Sequence, residues 1–225
     1  MTELRLEKIG ARVLKEIDLT VPEGELFVLL GPSGAGKSTL LQVIAGLLAY
    51  EGRIFFNGDC IDRQPPHQRR VGYLFQDLLL FPHLTVRNNL LVAMAHLKLS
   101  RRERQERIRE LMARLGIIPL AERYPVQMSG GEKQRAALAR ALATDPRILL
   151  LDEPFSSLDS ESAGRLRAEL KMHQRRLKIT TIFVTHNWKE ARQLADRLGA
   201  MNAGRLTDYP NPVSEFPKMP LQRRG

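Results

Sequence analysis

The nine residues GPSGAGKST at 31–39 constrain this chain more than any other stretch. They fit the pattern G-x-x-x-x-G-K-[ST] in a setting that gives the pattern physical meaning. Residues 25–30 before them form a short apolar run that reads as a buried strand, and residues 37–48 read as a helix. In that setting Gly31, Gly34 and Gly36, with Pro32, Ser33 and Ala35 between them, turn backbone N–H groups toward phosphate oxygens. The helix adds the positive end of its dipole. Lys37 reaches the β- and γ-phosphates, Ser38 offers its hydroxyl to Mg²⁺, and Thr39 closes the motif. Strand, glycine-rich turn and helix in that order belong to an α/β sheet whose ligand lies at the strand C-termini.

A second apolar run, ILLL at 148–151, ends in Asp152 and Glu153. A buried strand of this kind delivers its acids at the same sheet edge. Asp152 is placed to hold Mg²⁺ and Glu153 to polarise an attacking water as general base. Such a run alone is a weak signal; paired with the phosphate loop it gains weight.

The remaining periodicity alternates strands with helices. Strands are expected at 53–56, closed by the turn Asn57-Gly58, at 71–75, and at 179–184 (ITTIFV), with a late strand and turn at 201–204. Ser100 with Glu103 and Ser129 with Glu132 form capping boxes ahead of helices. A further helix is expected from about 160 to 177, and Asn187 with Glu190 caps another. The helical block at about 80–142 interrupts the alternation and reads as an insertion.

Composition narrows the class. Hydrophobic residues are 43% and charged residues 27%, enough for a core and ordinary for a globular chain. The one cysteine, Cys60, excludes an internal disulfide. No apolar run approaches the roughly 20 residues that span a bilayer. The start MTELRLEKIG carries no signal-peptide core, so a cytosolic chain is expected unless a partner holds it at a membrane. The net charge of +10 invites a nucleic-acid reading. Much of the excess lies in helical stretches at 101–114 and 165–178 with glutamates interleaved, which favours a solvated outer face. Proximity to anionic lipid headgroups would also tolerate it.

Met128-Ser129-Gly130-Gly131-Glu132 then resembles the Leu-Ser-Gly-Gly-Gln signature of the ATP-binding cassette (ABC) ATPases, and the resemblance covers roughly residues 3–206. It implies an α/β P-loop NTPase (RecA-like) core with a mixed, largely parallel sheet, an N-terminal antiparallel β-subdomain and an inserted α-helical subdomain. Residues 1–79 and 143–208 would form the core with its β-subdomain, 80–142 the helical subdomain carrying the signature, and 209–225 an irregular tail. It implies ATP as ligand with Mg²⁺, and a second ATPase copy facing the first head to tail. Ser129, Gly130 and Gly131 of that copy would complete the phosphate site. By the same resemblance Gln76 senses Mg²⁺ and the water, and Asp159, in the segment SSLD at 156–159, crosses the dimer interface. His186 contacts the γ-phosphate. Residues 81–86 (FPHLTV) resemble a segment of bacterial import ATPases that lines the groove for a helix of the membrane subunit.

Three departures from the family pattern carry consequences. No aromatic precedes Phe27, which leaves Ile9 or Arg12 to cover the adenine. Glu132 replaces the usual glutamine. The chain is also expected to lack the C-terminal regulatory domain of many sugar, sulfate and molybdate import ATPases. The expected role is the ATP-hydrolysing subunit of a small-solute importer at the cytoplasmic face of the inner membrane. Its partners would be permease subunits and an extracytoplasmic solute-binding protein, with no nucleic acid. A soluble ABC ATPase of the iron–sulfur assembly type, or a DNA-associated one, is the alternative.

Overall fold

The computed structural model describes residues 3–156, 158 and 160–209. Its first strands, β1 (Leu4–Ala11) and β2 (Leu14–Val21), form an antiparallel hairpin. β3 (Leu26–Leu30) leads through the phosphate loop into α1 (Lys37–Ile44), after which β4 (Glu51–Phe56) and β5 (Asp59–Cys60) return to the hairpin. β6 (Val71–Leu74) precedes three helices, α2 (Val86–Ala93), α3 (Arg101–Arg114) and α4 (Gly130–Leu142). β7 (Ile148–Asp152), α5 (Ser160–Leu177), β8 (Thr180–Thr185), α6 (Trp188–Leu194), β9 (Arg197–Asn202) and β10 (Arg205–Tyr209) complete the order.

The strands form two sheets. One runs β2-β1-β4-β5 and is antiparallel; the other runs β10-β9-β3-β8-β7-β6 and is parallel except for β10. The fold is therefore a P-loop α/β core with a mixed, largely parallel sheet, a second antiparallel sheet and a block of helices, as the resemblance implies. The parallel strands are covered on both faces, which explains their unbroken apolar runs. Leu26, Val28 and Leu30 of β3 share one core with the helical block, with Leu149, Leu151 and Phe183. Phe27 and Leu29 point the other way, onto α1 and the antiparallel sheet, together with Ile148, Leu150, Ile182 and Val184.

Both Ser/Glu capping boxes are formed, at Ser100–Glu103 and Ser129–Glu132, with hydroxyl and carboxylate each accepting the other's backbone N–H. Asn187 caps α6 through its side-chain oxygen. The helix after the phosphate loop is shorter than its apolar pattern implies. It stops at Ile44 because Gly46 takes a left-handed φ of 76° and the Arg69 guanidinium binds the carbonyls of Val43 and Ile44 at 3.0 and 3.1 Å. The late strand also begins earlier than expected, at Arg197, because it lies alongside β3 from Phe27 to Leu30.

Candidate functional site

β3, β8 and β7 lie side by side in parallel, so their C-terminal ends share one edge. Gly31 follows β3, Glu153 follows β7 and His186 follows β8. The sheet thus gathers at one place what the sequence spreads over 155 positions (186 − 31 = 155).

The loop's glycines have geometric reasons. A Cβ on Gly31 would lie 2.3 Å from the carbonyl oxygen of Met201, and Gly36 has φ 108° with Leu14 and Val13 pressed against it. The turn between β9 and β10 buttresses the loop from below: Gly204 N donates to Ala35 O at 3.1 Å and accepts Lys15 N on its own carbonyl at 2.8 Å.

Lys37 is buried, with Nζ donating to Gly31 O at 2.8 Å and Pro32 O at 2.9 Å. Glu153 Oε1 lies 3.8 Å from the same Nζ. Burial lowers the lysine's pKa, and the nearby Glu153 and Asp152 oppose that shift. Ser38 Oγ donates to Asp152 Oδ1 at 3.0 Å, and the Tyr73 hydroxyl donates to Asp152 Oδ2 at 3.3 Å. Burial raises the Asp152 pKa despite these two donors. Burial likewise pushes the Tyr73 phenol up, with the Asp152 charge adding to it.

Glu153 takes φ 45°, a left-handed conformation rare outside glycine. Its N–H is held by Val184 O at 3.0 Å, and its Oε2 lies 2.8 Å from His186 Nδ1. The Ser38 hydroxyl and the two carboxylates are hard oxygen groups suited to Mg²⁺, and the Lys37 ammonium beside them is suited to phosphate. Loop, Lys37, Ser38, Asp152, Glu153 and His186 therefore form one cluster.

Other expected site residues lie outside its hydrogen bonds. Gln76 is exposed in the turn after β6 and bonds to none of the cluster. Ser129 and Gly130 are exposed and Gly131 is half-buried in the N-terminal turn of α4, with no bond to the phosphate loop. Glu132 is kept ionised there: the Ser129 N–H it accepts at 2.8 Å lowers its pKa. Asp159 lies outside the described residues. Ile9 is fully buried between the sheets, so it cannot meet a base from solution; of the two residues expected to cover the adenine, Arg12 alone is exposed, in the turn between β1 and β2. Beside it Val13 is half exposed and packs on Gly36. Tyr73 and Val13 have no sequence signal of their own.

The segment at 81–86 is fixed from behind. Asn89, fully buried, donates to the carbonyls of Phe81, Leu84 and Thr85 at 3.0–3.2 Å and accepts the Phe81 N–H at 2.8 Å. Arg140 of α4 binds the carbonyls of Leu78 and Leu79. Leu79 and Phe81 remain exposed on this rigid step.

The phosphate loop, the acid pair and the capped glycine turn on one α/β sheet define a nucleotide-binding cassette. The family profile described as ABC transporter matches residues 14–156, and the chain belongs to that family. It is 43% identical over 210 residues to the molybdate/tungstate import ATP-binding protein WtpC of Pyrococcus abyssi, covering 90% of this chain and 61% of that protein. It is 46% identical over 206 residues to the Fe(3+) ions import ATP-binding protein FbpC 2 of Rhizobium meliloti, covering 91% of this chain and 52% of that one. The chain thus spans little more than half the length of these relatives. Among solved structures it resembles the dimeric bacterial ABC transporter cassette MJ0796, with TM-score 0.79, 31% identity, and 90% and 96% of the two chains covered.

Proposed function

We propose that this chain is the ATP-binding and ATP-hydrolysing subunit of an ABC importer. The observation that carries the reading is the cluster at the ends of β3, β7 and β8, where Ser38 meets Asp152 and Lys37 and His186 both meet Glu153. Import is supported by the relatives, whose names are those of import ATP-binding proteins. These relatives serve chemically different solutes, an oxyanion and a metal cation, so the solute is chosen elsewhere than in the shared cassette.

In this reading the loop's N–H groups and Lys37 bind the β- and γ-phosphates, which exchange for the Gly31 and Pro32 carbonyls now holding Nζ. Ser38 and Asp152 hold Mg²⁺, which neutralises charge on the phosphates when bound. Glu153 accepts the proton of the attacking water as the bond from the γ-phosphorus to the β–γ bridging oxygen breaks, leaving ADP and phosphate. His186 orients Glu153. Gln76, in the exposed turn after β6, would join the site once nucleotide is bound.

A second copy supplies Ser129, Gly130 and Gly131 across the nucleotide, with Asp159 at the interface. The solved cassette MJ0796 is dimeric, which supports such an arrangement. Arg12 and Val13 cover the adenine. The exposed Leu79 and Phe81 receive a helix of the membrane subunit, placing the chain at the cytoplasmic face of the inner membrane. Among the described residues no helix is long and apolar enough to cross a bilayer, so attachment would come from the permease.

Co-expression with candidate ABC permease subunits tests the reading. Co-purification, with Mg²⁺-dependent ATP hydrolysis raised by a solute-binding protein, is expected. A fully active chain that never associates with a permease would instead favour a soluble ABC ATPase.

A further inference from the structure

His186 is exposed, yet the residues on either side of it are tied down by hydrogen bonds. Thr185, before it, is buried as the last residue of β8 and donates its hydroxyl to Glu190 Oε2 at 2.7 Å. The same hydroxyl oxygen accepts the Asn187 N–H at 2.9 Å, so one side chain closes the loop around His186. Glu190 Oε1 pairs with Arg167 Nη1 at 3.1 Å, and both residues are buried. One turn further along α5, Lys171 Nζ donates to the carbonyls of Gln193 and Leu194 at 3.1 and 2.9 Å. Arg167 and Lys171 therefore clamp α6 at its start and at its end.

α6 has seven residues, too short to hold its own shape in water. Its place is set from outside, by the clamp and by Asn187. The buried charge pair is costly to assemble and is seldom the cheapest source of stability. Its geometric effect is specific: it fixes the distance from α5 to the last residue of β8, and so the reach of His186 Nδ1 to Glu153 Oε2.

We propose that Arg167, Glu190 and Thr185 are positioning residues that hold His186 in register with Glu153. The inference rests on the reading of those two residues as part of the hydrolytic site. A displacement of α5, which begins one residue after Asp159, would be passed through Arg167 and Glu190 to the loop bearing His186.

The test uses the full chain and compares Thr185→Val, Thr185→Ser and Glu190→Gln, each in the native and in the His186→Ala background. Valine keeps the shape of threonine but removes the hydroxyl that joins Glu190 to Asn187. Misplacement of a catalytic contact by about 1 Å costs on the order of 100-fold in turnover, so Thr185→Val is expected to lose about that factor in kcat. Its KM for ATP stays within about 3-fold, since the phosphate loop is untouched. Thr185→Ser restores the rate. Glu190→Gln, which keeps an acceptor for Thr185 but drops the charge facing Arg167, loses kcat as well and serves if the valine variant does not fold. In the His186→Ala background these substitutions add less than about 3-fold, because the residue they position is gone.

A wild-type kcat for folded Thr185→Val and Glu190→Gln overturns the proposal. So does an equal loss in both backgrounds, which would mark a general structural role. A wild-type rate for His186→Ala alone overturns the reading of His186 itself, and the positioning claim with it.

Discussion

Arg69→Met isolates how the helix behind the phosphate loop is held. Arg69 is buried, and its guanidinium reaches five oxygens: Val43 O, Ile44 O, Gln64 O and Asp62 O, and the Tyr50 hydroxyl, at 3.0–3.4 Å. Two of these are the last carbonyls of α1; Val43 O also accepts the Gly46 N–H at 2.9 Å, so Ile44 O leans most on Arg69. Methionine keeps the length and loses every donor. Charged hydrogen bonds to buried acceptors are worth about 1.5–3 kcal/mol each, so those two bonds alone represent about 3–6 kcal/mol. Partial hydration of the freed carbonyls and the apolar gain of methionine reduce the expected loss to about 3–4 kcal/mol. For a chain of this size that is a fall of roughly 6–16 °C in melting temperature.

Urea unfolding followed by circular dichroism measures the stability loss, and ATP titration measures the site. The phosphate loop lies at the opposite end of α1, so ATP affinity should change by less than about 3-fold while stability falls. Gly46→Ala provides an internal check. Its Cβ would stand 2.6 Å from Arg69 Nε, at φ 76°, so it disturbs the same anchor. Its cost should shrink to the strain of a left-handed alanine, about 1–2 kcal/mol, once Arg69 is methionine. A loss below about 1 kcal/mol for Arg69→Met, or strict additivity of the pair, would refute the anchoring argument.

Two further predictions follow from the same geometry. Lys37→Ala should abolish ATP binding with little change in fold, read by fluorescent-nucleotide titration; unchanged affinity would contradict the role of the loop. Burial, with Arg176 and Arg114 nearby, holds His173 below its ordinary 6.5 although Glu169 opposes the shift. The unfolded chain then takes up a proton that the folded one resists, so stability present above pH 6.5 is lost as pH falls below it. His173→Asn should flatten that slope in urea midpoints measured from about pH 7.5 to 5.5, and an unchanged slope would sink the assignment.

What could be read from sequence was local. The phosphate loop, both capping boxes and the acids after ILLL are short-range patterns, and each formed where its spacing places it. The parallel sheet was legible because strands buried on both faces must be apolar throughout. The misreadings share a cause. α1 ends early because of Arg69, 25 residues beyond Ile44, whose role no local window contains. Ile9, one of the two residues expected to cover the adenine, pairs with Ile17 inside the core. Tyr73 belongs to the site only because β6 lies beside β7, which puts its hydroxyl on Asp152. The left-handed Glu153 is likewise invisible in sequence, since its conformation is imposed by the bond of its N–H to Val184.

The most direct test of the central claim is Glu153→Gln in the full chain, with steady-state hydrolysis and light-scattering mass measured side by side. The account predicts that ATP still binds, that hydrolysis falls by at least about 100-fold through loss of the general base, and that ATP drives a stable dimer. Hydrolysis near the wild-type rate, or a mass that ATP leaves unchanged, would contradict it.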